Sequence, residues 1–352
     1  MTDPGLDAVA GMFRVLAEFD FEGASPLYHR LATAAADDPE VVALLLPAAP
    51  RDRMPHLLFA AVQYLLGRDG VGMLDAFSSA PYETFRTWCL DHRQELESLT
   101  STRVNQTNEV GRCAASLPTL ATVAAWTRSP LAIVEVGTSA GLNLLLDRYR
   151  YVFGPGHEMG PTESGVVLQP RIEGAAPPPM AMPEIVFRMG LDRQPEDVAD
   201  DDAMRWLRAC IWPEQHWRAE LFDRAVDAAR RDPPTIVRGD VLETLGDVVG
   251  QAPPDAALCI LHTAFINYLP EPDRFVDLLS QLGAERPLWW VSGEPPGLVP
   301  GMTSTAPAPA RSGGIHFLYG AQPVGQTAHE PAVLARSGTH GAWLEWLGDP
   351  SD

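Results

Sequence analysis

The sequence predicts an α/β protein: an all-helical N-terminal domain over about residues 1–128, followed by a doubly wound sheet domain over about residues 129–352. Three observations predict it. Apolar residues in the first third recur at helical spacing. The first β-branched apolar run comes only at Leu131–Val136. From there on, short apolar runs alternate with helical stretches, the pattern of strands joined by helices.

Within the first third, Leu57, Leu58, Ala61 and Leu65 share one helical stripe. Phe85, Trp88, Cys89, His92, Leu96 and Leu99 fall at i, i+3, i+4, i+7, i+11 and i+14, which predicts one continuous helix. Pro55 and Pro81 stand where helices begin. Leu131–Val136 predicts a buried parallel strand. Val166–Leu168, Thr235–Val237, Ala257–Leu261, Leu288–Ser292, Ile315–Tyr319 and Ala342–Trp346 are the further strands. Ala203–Arg230 and Asp273–Leu282 are expected as helices. Gly174–Pro183, with its three consecutive prolines, and Glu294–Ala310, rich in Pro, Gly, Ser and Thr, read as loops. Residues 174–230 are expected to form an insertion covering the site.

Composition excludes several chemistries. The formal net charge of −20 repels phosphate backbones and anionic bilayers, so neither nucleic acid nor membrane is an expected partner. All 26 basic residues are Arg. Without a lysine amine there is no Schiff-base enzyme, no lysine general base and no Walker-type phosphate loop. Cys89, Cys113, Cys210 and Cys259 are scattered among apolar neighbours, so no metal site is expected. The N-terminus is acidic and shows no secretion signal, and no apolar stretch reaches a membrane span, so the expected compartment is the cytoplasm.

The segment Leu131-Ala-Ile-Val-Glu-Val-Gly-Thr-Ser-Ala-Gly-Leu-Asn143 concentrates the chemistry. An apolar strand runs into a glycine-containing turn and then an apolar helix. Gly137 and Gly141 let the backbone turn tightly and approach a ligand, and a helix N-terminus offers free N–H groups. Glu135, near the strand's end, can hold a cationic or hydroxyl-bearing ligand. This segment resembles the first motif of class I S-adenosylmethionine-dependent methyltransferases. The resemblance implies a Rossmann-like sheet and an S-adenosylmethionine site formed by Glu135, Gly137, Thr138, Ser139, Gly141 and Asn143. The acidic surface disfavours nucleic acid, so the expected methyl acceptor is a small molecule. The usual middle glycine is Ser139 here. That family's acid closing the second strand, which binds the ribose hydroxyls, has only Glu173 as a candidate, and it comes late. The blocks Ser25–Tyr28, Leu57–Leu66, Thr107–Ala114, Glu135–Tyr149, Arg205–Gln215 and Leu261–Thr263 resemble an uncharacterised bacterial family, a likeness that brings no activity with it.

The same residues, Gly137-Thr-Ser-Ala-Gly141, also spell the G-x-S-x-G nucleophile elbow of serine hydrolases of the α/β-hydrolase type, with Asp240 and His262 completing the order Ser, Asp, His. That fold has several strands before the elbow, and here none is predicted. A third reading is a non-catalytic metabolite-binding protein.

Ligands of open α/β sheets lie at the carboxyl ends of strands. Asp240 follows Thr235–Val237 and is the candidate for the adenine amine, or otherwise a helix cap. His262 follows Ala257–Leu261 and is the candidate general base, with Tyr268 beyond it. Asn105, Asn108, Glu109 and Arg112 fall on one stripe of an expected helix and are candidates for a substrate-facing wall. Arg205 and Trp212, in a segment mixing Arg with Trp, suit an anionic or aromatic substrate. The sequence specifies neither the methyl acceptor nor an oligomeric state.

Overall fold

The computed structural model describes residues 4–174, 178–179, 181–302, 315–325 and 329–348. In chain order the helices are α1 (Pro4–Leu16), α2 (Pro26–Ala35), α3 (Pro39–Val42), α4 (Pro55–Arg68), α5 (Met73–Phe77), α6 (Tyr82–Asp91), α7 (Arg93–Thr102), α8 (Cys113–Thr127), α9 (Asp201–Ala209), α10 (His216–Arg231), α11 (Val241–Val249) and α12 (Pro272–Glu285). The strands are β1 (Leu131–Val136), β2 (Arg150–Val152), β3 (Glu158–Met159), β4 (Val167–Leu168), β5 (Arg171–Glu173), β6 (Ile185–Asp192), β7 (Ile236–Arg238), β8 (Ala257–Thr263), β9 (Leu288–Glu294), β10 (His316–Val324), β11 (Ala332–Gly338) and β12 (Trp343–Trp346). They form two compact units, Met1–Thr107 with Asp200–Glu220, and Asn108–Ala199 with Leu221–Asp352.

The first unit holds no strand among its described residues. Proline opens α2 and α4, where its missing N–H is harmless, and Ser25 caps α2 by accepting from Tyr28 N at 3.1 Å. Apolar stripes converge on Phe59, whose ring meets Phe13, Phe21, Tyr28 and Phe85 at centroid distances of 4.5–6.2 Å. Two helices expected as continuous are broken. At His92, between α6 and α7, the ring stacks on Trp88 at 4.0 Å and its Nδ1 bonds the Trp88 carbonyl at 2.8 Å. At Pro213, between α9 and α10, the chain has no N–H to continue the ladder.

The second unit is built on a nine-stranded mixed sheet in the order β5-β12-β11-β10-β9-β8-β1-β6-β7. β7, β6, β1, β8 and β9 run parallel; β10, β11 and β12 follow as antiparallel neighbours, and β5 adds parallel to β12. One face of the central strands, with Ala132, Val134, Val136, Leu258, Ile260 and Trp290, packs in one core with Leu245, Val248, Phe275 and Leu279 of α11 and α12. Each such buried large side chain contributes about 1.5–3 kcal/mol, which fixes which face points inward. On the other face α8 packs against β9, β10 and β11.

Several expectations change. β6, next to β1, and β11 were not read as strands. Arg188 and Gly190 interrupt the apolar run of β6. The Arg188 guanidinium is satisfied by Asp147 at 2.6 and 2.8 Å, and a Cβ at Gly190 would meet Thr138 Cγ2 at 2.5 Å. Residues 174–230 therefore carry a central strand rather than only an insertion, and Asn108–Thr127 belong with the sheet. Val167–Leu168 is a strand of a small separate sheet, β3-β2-β4. Glu173 lies on β5, the strand at the far edge from β7, bonded to Arg171, so it does not close the strand beside β1. After the β1 turn the chain forms a 3-10 helix, Leu142–Arg148, instead of an α-helix. Glu294 ends β9, while residues 303–310 of the expected loop, and 175–177 and 180 of the other, lie outside the described residues.

Candidate functional site

Numbered by sequence, the five parallel strands lie in the order 3-2-1-4-5, so the connections leave β1 and β8 in opposite directions. The crevice at their carboxyl ends is where such sheets bind ligands. The turn after β1 is shaped for it. Gly137, Ser139 and Gly141 all have left-handed φ, at 72°, 55° and 73°. A Cβ at Gly137 would lie 2.6 Å from Phe265 Cδ2, and one at Gly141 would lie 2.7 Å from Pro234 Cγ, so both positions require glycine. Ser139 bears this conformation at about 1–2 kcal/mol, and its buried Oγ has no hydrogen-bond partner.

Glu135 points to the α8 face and is 3 % exposed. Thr138 Oγ1 donates to its Oε2 at 2.5 Å. Burial pushes its pKa up to about 7, against the hydrogen bonds from Thr138 and Asn143; Asp192 adds to the rise and Arg112 opposes it. Asn143 also accepts from Cys113 Sγ at 3.4 Å. Asp192 closes β6 and faces the turn: Oδ2 accepts from Ser139 N and Oδ1 from Gln194 N, each at 2.8 Å. Each oxygen keeps a second lone pair for a ligand hydroxyl. Glu135 and Asp192 thus flank the turn from adjacent strands.

The other expected residues divide. Asn105, Arg205 and Trp212 belong to the helical unit, where Arg205 lies over Tyr64 and Trp212 packs on Phe21. Asn108, Glu109 and Arg112 belong to the sheet unit but do not share a helical stripe. Only Val110–Arg112 form a 3-10 turn, because side chains replace backbone partners: Asn108 Oδ1 accepts from Leu142 N at 3.0 Å and Glu109 Oε1 from Gly111 N at 3.3 Å. The first N–H after the turn is therefore taken by Asn108 rather than offered to a ligand. Asp240 is the N-cap of α11; the Leu242 N–H and then Arg193 hold its carboxyl below its usual range, with burial opposing. Tyr268 is 72 % exposed in a 3-10 turn.

His262 is fully buried on the α12 face. Trp290 Nε1 donates to its Nε2 and its Nδ1 bonds Glu294 Oε1, both at 2.7 Å. With both nitrogens engaged it has no lone pair free to take a substrate's proton. Glu294 Oε1 also accepts from Phe265 N at 2.7 Å and Ile266 N at 3.3 Å, fixing the turn whose ring lies against Gly137, while the buried Oε2 has no partner. Asp192 and Glu294 were missed in the sequence. The signal for Glu294 was the one used for Glu135, an acid at the end of an apolar run next to glycine. Among the described residues no group of three His, Cys, Asp or Glu could hold a metal, and no helix is long and apolar enough to cross a membrane.

Fold and site together define an α/β protein with a large, mostly parallel central sheet and acids at the carboxyl ends of its middle strands. The chain belongs to the family described as "Uncharacterized protein conserved in bacteria (DUF2332)", which matches residues 10–346. No curated protein matches the sequence.

Proposed function

We propose that the sheet unit binds S-adenosylmethionine and transfers its methyl group to a small molecule. The observation that carries this reading is the pair Glu135 and Asp192, at the ends of the first and second parallel strands, on either side of the Gly137–Gly141 turn. Asp192 stands where class I methyltransferases place the acid for the ribose hydroxyls. Glu135 stands where they place the acid nearer the methionine end. The 3-10 helix after the turn departs from that pattern, so the dipole of a long helix contributes nothing here. When bound, S-adenosylmethionine supplies an already activated methyl group, so alignment of the acceptor is the protein's main task.

Calorimetry with S-adenosylhomocysteine tests this. The expected dissociation constant is micromolar, about 8 kcal/mol. Gly137→Val should abolish binding in a folded protein, since its side chain would have to displace Phe265. Asp192→Asn should weaken binding by about tenfold, one charge-assisted hydrogen bond. Absence of heat with the wild-type protein at millimolar ligand sinks the proposal.

The left-handed φ of Ser139 in a G-x-S-x-G turn keeps the serine-hydrolase reading in view. Against it, Ser139 Oγ bonds no base, His262 is committed to Trp290 and Glu294, and no described strand precedes β1. Covalent labelling of Ser139 by a fluorophosphonate would reverse that judgement.

A further inference from the structure

We propose that Arg112 and Tyr319 form a binding site for a carboxylate of the methyl acceptor, on the α8 face of the sheet. The inference rests on the methyl-transfer reading for the word acceptor, but the anion site stands on its own geometry. Arg112 is 7 % exposed, and no carboxylate lies within ion-pair distance of it among the described residues. Its partners are neutral: Nε donates to Thr339 O at 3.0 Å, and Nη1 lies 3.4 and 3.5 Å from Thr263 O and Oγ1. The guanidinium sits over the Phe317 ring at 5.2 Å. Tyr319, two residues along β10 on the same face, is 1 % exposed, and its hydroxyl has no partner. A buried cation whose hydrogen-bond partners are all neutral, beside a buried hydroxyl without a partner, is an unfavourable pair that one anion resolves. The fork of Arg112 takes one carboxylate edge, and the Tyr319 O–H donates to an oxygen.

The surroundings select the anion. Glu109, 3.0 Å from His340 Nδ1, is on the same α8-side segment as Arg112, and Glu135 faces the same side of the sheet. Neighbouring acids disfavour each further negative charge, so a monoanion suits Arg112 better than a dianionic phosphate. Position selects the source. Thr263, Phe317 and Tyr319 lie on β8 and β10, and β10 is three strands from β1, roughly 14 Å at 4.8 Å per strand. Arg112 reaches from Thr263, on the strand beside β1, to Phe317 on β10, so the Tyr319 end of the anion lies on the acceptor's side of the crevice, away from the glycine turn. Opposite Tyr319 on β9 is Gly293, where a Cβ would come within 2.4 Å of the phenol ring, so the sequence keeps this place clear for the tyrosine.

The test compares melting of the full-length protein in acetate and benzoate with acetamide and benzamide, at matched ionic strength. Each carboxylate should raise Tm by at least about 2 °C more than its amide. Arg112→Gln and the conservative Tyr319→Phe should each remove that difference. No difference in the wild type, or one that survives in both variants, overturns the site. Calorimetry then separates the sources. S-adenosylhomocysteine affinity within about threefold of wild type in both variants assigns the carboxylate to the acceptor. A loss of more than about tenfold, with 5′-methylthioadenosine affinity unchanged, assigns it to the cofactor and overturns the acceptor proposal. If the wild type binds no S-adenosylhomocysteine, the methyl-transfer reading falls while the melting shifts still decide the anion site.

Discussion

Replacing His262 with alanine should lower the unfolding free energy by about 4 kcal/mol. Trp290 Nε1 can only donate, so His262 Nε2 accepts and its Nδ1–H is turned to Glu294. Removing the ring leaves an indole N–H and one donor fewer on a carboxylate that is 1 % exposed, inside a core lined by Phe265 and Phe275. An orphaned buried donor costs about 1–3 kcal/mol, and weakening a buried charge's partners adds more. His262→Asn can keep a donor toward Glu294 while still abandoning Trp290, so it should recover about half of the loss. Urea unfolding of the two variants checks this. A general base would show the opposite pattern: an alanine variant within about 1 kcal/mol of wild type that has lost its turnover.

The second large effect belongs to Glu135 and has opposite signs for stability and binding. Its folded pKa of about 7 lies above the ordinary 4.5 because burial disfavours the carboxylate. Between those values the native chain holds the proton and the unfolded chain releases it, so this group's contribution is fully present below pH 4.5 and is lost as pH rises through 7. The whole loss is about 3 kcal/mol. Glu135→Gln, which can still accept from Thr138, should therefore match wild type near pH 4 and be more stable than it by about 3 kcal/mol at pH 8.5. A cationic ligand group needs the ionised form, so wild-type affinity for S-adenosylhomocysteine should climb as pH rises through 7, and the variant's should stay low and flat. Melting and calorimetry at pH 5.5, 7 and 8.5 read both. Parallel stability curves for the two proteins would refute the assignment.

The sequence made β1, β8, β9 and α4 legible because their burial follows one simple rule: an apolar run for a strand covered on both faces, a stripe for a helix. β6 was hidden because Arg188 and Gly190 answer to tertiary partners, Asp147 and Thr138, that no local pattern contains. With β6 hidden, Asp192 could not be seen as the acid closing the strand beside β1. Glu135 and the glycines of its turn were visible because backbone geometry constrains them locally. His262 was found as a residue at a strand end, but its partners, Trp290 and Glu294, reach it from a neighbouring strand and are not visible in local spacing. The stripe from Asn105 to Arg112 had helical spacing, yet Asn108 and Glu109 spend their side chains on nearby N–H groups, which spacing cannot reveal.

A sheet of nine strands would ordinarily be an invitation to other chains, since each open edge displays unpaired N–H and C=O groups that can template aggregation. Here both borders are short. β5 and β7 have three residues each, and β5 carries Arg171 and Glu173 locked to one another, while β7 ends in Arg238. Among the described residues the long strands are all interior. An incoming strand finds only a few bonds to make and meets charge at both borders, so the fold can widen its sheet without becoming sticky.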